Sequence, residues 1–335
     1  MNTRGIIKDI KKAVIIRTDR IGEVLLCSPV IEAVKSSFPG VEISFVTSDY
    51  SRDIVAGRPD IKRVIIFSTT GRCPGLSHVF KLIWELKGCS FDMAVVLNPH
   101  KLLHLSVFLA GIRYRIGFDR KWGFFLNAKV PDRRDEARYH ETEYNLQLLR
   151  AVDVYKEGIL PSMPVMPHSL SRVRGILKRQ GLSAGRKIIV IHPGSSNPAK
   201  RYPWEKFGII ARVLAGSGDA DIVLIGHSDE KALCAGIGTA SGQGVYDLCG
   251  FFDLKDLAAL FQCADIFITN DNGPMHIASA VGARVLALFN KDAKGSNPSR
   301  WSPCGSGHVV LHKSFGLLSP EEVIEKARLM LKEKE

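Results

Sequence analysis

Apolar residues along this chain fall into short runs separated by amphipathic stretches, and the alternation reads as strands and helices. Ala13–Arg17 (AVIIR), Val41–Val46, Val64–Phe67 and Met93–Leu97 are runs of the kind expected for buried strands of a parallel sheet. After the first run the turn Thr18–Gly22 leads into a helical region. It starts at Glu23 or at Ser28–Pro29, where Ser is a cap and Pro a first helical residue, and it stops before Pro39–Gly40. Tyr139–Val152 reads as a helix with Leu146, Leu148, Leu149 and Val152 apolar. Leu160–Pro167, with Pro161, Pro164 and Pro167, reads as a linker. The pattern then restarts. Ser171–Gln180, Trp204–Leu214 and Leu254–Gln262 are helices, and Lys187–Ile191, Asp221–Ile225, Ile266–Thr269 and Val285–Phe289 are strands. Such alternation predicts α/β architecture, with two doubly wound domains at residues 1–160 and 161–319 and an amphipathic tail helix at 320–335. Ligands of such sheets bind at the C-terminal strand ends, which here would face a cleft between the two halves.

The stretch Ala264–Phe289 organises the second half. After its strand comes the polar hinge Asn270–Gly273, then Pro274 as a first helical residue, then a helix to about Val281 and a stop at Gly282. A helix N-terminus at a strand's C-terminal end holds phosphate well, because its free N–H groups and its dipole both favour an anion. Two more loops follow strands in the same way. His192–Phe207 (HPGSSNPAKRYPWEKF) offers amides, the Ser195 and Ser196 hydroxyls and the Lys200 ammonium. Gly226–Glu230 offers the Asp229 and Glu230 carboxylates, and a carboxylate can accept from both hydroxyls of a ribose.

Composition narrows the classes. The chain's 335 residues are long for one core. No apolar run approaches the roughly 18 residues of a membrane span, and charge interrupts the N-terminus, which makes it a poor secretory signal. Seven scattered Cys without a C-x-x-C pair point to free thiols in a reducing cytoplasm, not to a disulfide frame or a zinc site, and no metal is expected. The net charge of +12 fits either a solvated basic surface or attraction to an acidic lipid or glycolipid. No helix-turn-helix, zinc-finger or RNP pattern supports a nucleic-acid partner. A basic aromatic stretch, Arg113–Phe125, offers Arg113, Arg115 and Arg120 for bidentate pairing with carboxylate or phosphate, and Arg72 could join them.

Asn270–Phe289 (NDNGPMHIASAVGARVLALF) resembles the C-terminal signature of the lipopolysaccharide heptosyltransferases, glycosyltransferase family 9, with Asp271, Gly273 and His276 on its D-x-G-x-x-H turn. Arg17–Pro29 (RTDRIGEVLLCSP) resembles the family's N-terminal signature, matching at Arg17, Asp19, Ile21, Gly22, Leu26 and Pro29. The loops at His192 and Gly226 are similar to two further family motifs. The resemblance implies a GT-B fold, two Rossmann-like domains facing a central cleft. It implies transfer of heptose from ADP-L-glycero-D-manno-heptose to an acidic, lipid-linked inner-core acceptor by inverting single displacement, without a cofactor, in the cytoplasm at the inner membrane. The implied donor contacts are Ser195, Ser196, Lys200, Glu230, Asp271, Asn272, Gly273 and His276. The implied acceptor contacts are Arg72, Arg113 and Arg120. The chain departs where the family has its presumed general base, an Asp. Glu23 stands there, its carboxylate about 1.5 Å further out, with Asp19 as fallback; as a residue near a helix start it also simply complements the dipole. Other readings stay open: a transferase with a different nucleotide-sugar donor, an epimerase of the same fold, or a nucleotide-sugar-binding protein without turnover.

Overall fold

The computed structural model describes residues 9–67, 75–182 and 185–332. The chain divides into two compact units, Met1–Met163 and Pro164–Glu335. The first contains β1 (Lys12–Ile16), β2 (Glu42–Thr47), β3 (Arg63–Ile66), β4 (Met93–Val96), β5 (Tyr114–Phe118) and β6 (Ala128–Val130), all parallel, in the order β3-β2-β1-β4-β5-β6. The second contains β7 (Lys187–His192), β8 (Ala220–Leu224), β9 (Val245–Asp247), β10 (Ile266–Asn270), β11 (Val285–Asn290) and β12 (Val309–Lys313), also parallel, in the order β12-β11-β10-β7-β8-β9. These are the same order. In each unit the first strand lies beside the fourth, and the chain winds outward from that pair in both directions. This is the dinucleotide-binding form of the doubly wound fold.

The central strands are the apolar runs seen in the sequence. Ala13–Ile16, Met93–Val96 and Ile266–Ile268 are wholly buried, since helices cover both faces. In the first unit, helix Leu76–Cys89 sends Val79, Leu82 and Leu86, and helix Lys101–Leu109 sends Leu103 and Val107, onto Val14, Ile16, Ala94 and Val96. In the second, Tyr202, Phe207, Ile210 and Leu214 meet Ile189, Ile191, Ile222 and Leu224. The last helix, Pro320–Lys332, adds Val323, Ile324, Ala327 and Met330 to that core. Tyr202 stands edge-on between Phe207 (5.4 Å) and Phe315 (5.2 Å), and its hydroxyl donates to the Leu318 carbonyl at 2.9 Å. Among the described residues no helix is long and apolar enough to cross a membrane.

Several local expectations change. The first helical region is two helices, Ile21–Leu25 and Ser28–Ser37: the first starts two residues before Glu23, and in the second Ser28 is the first helical residue and Cys27 holds the cap position without a side-chain bond. The stretch 139–152 is α-helical only over Glu141–Gln147 and tightens to a 3-10 helix through Val152; the His140 ring caps it by accepting from Thr142 N. Pro167 is no linker residue but the start of helix Pro167–Arg179. Through the basic aromatic stretch Arg113–Phe125 runs the strand β5.

Phe207 is fully buried and shares its ring contact with Tyr202. Phe207→Ala should therefore cost about 3–5 kcal/mol, read as a lower midpoint in denaturant unfolding.

Candidate functional site

Where strand order reverses, neighbouring connections leave in opposite directions and the strand ends between them stay open. In the second unit that place lies between β7 and β10, which are hydrogen-bonded from Ile266–Ile189 to Thr269–His192. The loops leaving these two strands carry most of the expected donor residues, and side chains tie them together. Lys200 Nζ sits 2.5 Å from Asp271 Oδ2 and donates to the Gly295 carbonyl at 3.1 Å. Ser195, buried, directs its hydroxyl at the Asp271 carbonyl, 3.4 Å away, while Ser196 is exposed. Asn272 caps the helix Gly273–Ala280 by accepting from Met275 N. Its Nδ2 reaches back to the Gly194 carbonyl (3.0 Å), Thr269 Oγ1 (2.8 Å) and His192 Nδ1 (3.0 Å). His276 is buried one turn into that helix.

The loop after β8 joins the same cluster through Glu230. His192 accepts from Asn272 at Nδ1, which leaves its Nε2–H to donate to Glu230 Oε2 at 3.0 Å, and His227 N donates to the same oxygen at 2.8 Å. Burial pushes the Glu230 carboxyl up, but the His192 bond, His227 N and the nearby Arg201 outweigh it and hold the group below the ordinary range. Glu230 is thus ionised and fixed. Asp229, the loop's other carboxylate, is 79% exposed and pairs with the His227 ring. Gly194 is required here by close approach: an added Cβ would stand 1.8 Å from Glu230 Oε1. Behind the loop, Cys234, Cys249 and Asp247 place ligand atoms within 4.8 Å of one another, but burial pushes both thiols up, which disfavours thiolate ligands.

In the first unit the reversal lies between β1 and β4. Arg17, 2% exposed, follows β1 and anchors the loop. Its Nε donates to Asp19 Oδ1 (2.6 Å), and its Nη1 reaches Glu141 Oε1 (3.1 Å), the Leu97 carbonyl (3.3 Å) and Asn145 Oδ1 (3.4 Å). From the loop after β4, Asn98 Nδ2 donates to Thr18 Oγ1. Glu23 stands in the first turn of helix Ile21–Leu25, with Arg20 Nη2 at 3.1 Å. Burial and the neighbouring Asp19 charge lift its carboxyl above the ordinary carboxylate range, against the pull of Arg17 and Arg20. A raised carboxyl is a better proton acceptor than a free one.

The expected acceptor residues do not come together. Arg113 precedes β5 and stacks on the Tyr114 ring, 4.9 Å from its centroid; Arg120 follows β5, so the strand separates them by roughly 20 Å. Arg115 is spent on the Ile112 and Phe125 carbonyls. Arg120 is 61% exposed beside Asp132, which Arg134 and Arg120 hold at about 2 despite burial pushing it up. Arg72 lies outside the described residues. The sequence reading missed His192, Asn270 and Glu141. Asn270, fully buried, joins Tyr202 N to the Pro193 carbonyl, and its place at the end of an apolar strand was the available signal. Gly194→Ala should displace the Glu230 carboxylate, break its bond to His192 and cost about 1–3 kcal/mol. Thermal unfolding of the variant checks this, with Gly194→Ala/Glu230→Ala recovering part of the loss.

Comparisons with known proteins fit this geometry. The pattern of glycosyltransferase family 9 (heptosyltransferase) matches residues 79–318. A putative glycosyltransferase of Haemophilus influenzae is 26% identical over 304 residues, 88% of this chain and 86% of that protein. The glycosyl transferase family 9 crystal structure from Veillonella parvula superposes with a TM-score of 0.88 at 21% identity, covering 97% of this chain and 98% of that one. The structure of Escherichia coli ADP-heptose lps heptosyltransferase II gives 0.81 at 22% identity, covering 97% and 99%. At those identities the two structures establish the fold, which is GT-B; the family rests on the sequence match. That match spans well over half the chain, and the chain belongs to glycosyltransferase family 9, a family of glycosyltransferases that includes the heptosyltransferases.

Proposed function

We propose that the chain transfers heptose from ADP-L-glycero-D-manno-heptose to the inner core of lipopolysaccharide, at the cytoplasmic face of the inner membrane. The observation that carries this reading is the convergence of three separately expected loops on one point, the open strand ends of β7, β8 and β10. A diphosphate fits there by chemistry. The helix start at Gly273 supplies the positive end of the helix dipole, Ser195 and Ser196 supply hydroxyls, and Lys200 supplies a cation. Asp271 holds the Lys200 ammonium in place, and Glu230, fixed by His192, accepts from the ribose hydroxyls.

The reaction needs one proton moved and one anion stabilised. Glu23 takes the proton of the acceptor hydroxyl as that oxygen bonds the anomeric carbon. The bond from the anomeric carbon to the phosphate oxygen breaks on the opposite side, so the centre inverts and ADP departs. Positive charge from Lys200 and the helix N-terminus is already in place as the diphosphate gains charge, which is where such groups lower a barrier most. Arg17 keeps Asp19 paired, and that leaves Glu23 as the carboxylate able to accept the proton. On the same unit, the exposed Arg120 would meet an acidic group of the acceptor.

Two experiments test the assignment. Lys200→Ala should weaken ADP binding by about 1.5–3 kcal/mol, the scale of a charge-assisted hydrogen bond; unchanged calorimetric affinity would remove Lys200 from the site. Glu23→Gln should lower turnover roughly 10²–10⁴-fold with donor affinity intact. In the wild type, kcat/KM should rise with pH through an apparent value above the ordinary carboxylate range, and that limb should vanish in the Gln variant. The linkage has a definite sign. A carboxyl whose value is raised on folding adds stability in its protonated form, and this is lost as pH rises through the folded value. Glu23→Gln should therefore unfold at the same or a higher temperature near neutrality, which separates a catalytic loss from a structural one.

A further inference from the structure

The helix Leu76–Cys89 is amphipathic on its inner side and apolar on much of its outer side as well. Val79, Leu82 and Leu86 fill the core, yet Leu76, Phe80 and Trp84 face outward, 76%, 61% and 78% exposed. Their four-residue spacing sets them in one row, about 12 Å long at the helical rise. A row of large apolar side chains marks a surface that something covers, whereas such residues scattered singly would not. The helix also exposes Lys81 and Lys87, and among the described residues neither ammonium has an ion pair. Its one acid, Glu85, is matched by Arg63 at 3.6 Å, and Lys12 donates to the Cys89 carbonyl at its C-terminal end.

We propose that this face docks on a bilayer bearing anionic lipid. Charge complementarity selects that occupant. The exposed lysines flank the apolar row in a chain of net charge +12, and basic groups beside a membrane are attracted to acidic headgroups. Leu76 and Phe80 would enter the acyl boundary as an in-plane helix does, and the Trp84 indole suits the headgroup level. A second copy of the chain is a poorer fit, because a two-fold contact would set Lys81 and Lys87 against their own images. The purpose of the contact, holding the enzyme beside a lipid-linked acceptor, rests on the function proposed above; the contact itself does not.

The test uses the full chain and sedimentation with vesicles of equimolar phosphatidylcholine and phosphatidylglycerol, against phosphatidylcholine alone. Binding should need the anionic lipid and weaken with salt. Phe80→Glu/Trp84→Glu and, separately, Lys81→Glu/Lys87→Glu should each lower partitioning by about tenfold. Brominated lipid should quench wild-type fluorescence more than that of Trp84→Phe. Turnover of a water-soluble acceptor fragment should survive in all these variants, while turnover of the vesicle-embedded acceptor falls. Partitioning unchanged in both double variants would overturn the proposal. So would a wild type that ignores anionic vesicles, or light scattering that finds a dimer which only Phe80→Glu/Trp84→Glu dissociates. If no heptose transfer occurs on either acceptor while anionic vesicle binding persists and depends on this face, the proposed reaction fails and the docking surface stands.

Discussion

The reversal of strand order at the centre of each parallel sheet is the constraint from which the rest follows. Crossovers of one hand pack the connecting helices on opposite faces of the sheet on either side of that point. The strand ends there cannot be covered by a connection, so polar backbone and side chains collect at the tip of an apolar core. In the C-terminal unit the result is a helix start, a lysine pinned by Asp271 and a fixed Glu230 carboxylate drawn to one place. In the N-terminal unit the same geometry yields something different, a buried guanidinium with two carboxylates close by. One topology thus supplies two chemistries, and the loop residues decide which.

Burial does the tuning in both places, with opposite outcomes. Glu230 gains donors enough to overcome desolvation and stays ionised. Glu23 gains Arg20 but also faces Asp19, and desolvation wins. The extra methylene relative to the Asp of the family signature is accommodated in a turn where the side chain keeps a cationic neighbour, so the departure from the signature changes reach without removing the charge.

Much of this was legible in the sequence, for physical reasons. Strands buried on both faces are uninterrupted apolar runs, and β1, β2, β4, β7, β8, β10 and β11 are legible from that; the edge strand β3 is legible as the short run Val64–Phe67. The strands β5, β6, β9 and β12 were not: β6 and β9 are three residues long, and β5 and β12 carry polar residues such as Arg115 and His312 among the apolar ones. The loops after β7, β8 and β10 were legible because their residues are contiguous with strand ends. The acceptor cluster misled because nearness in sequence is not nearness in space along an extended strand: Arg113 and Arg120 flank β5 at its two ends. Partners far apart in the chain, His192 with Glu230 and Arg17 with Glu141, leave no local pattern to read.

The pairing of Arg17 with Glu141 spans 124 residues and is sealed from water on both sides. Asp19 pairs with Arg17 locally, but the guanidinium gains its second, fully buried carboxylate only when Glu141 arrives, late in the first unit. During synthesis β1 can pair with β2 and β4 as they emerge, but the segment bearing Asp19 and Glu23 waits for helix Glu141–Gln147. The loop after β1 is thus translated early, while its long-range tie to Glu141 can form only late.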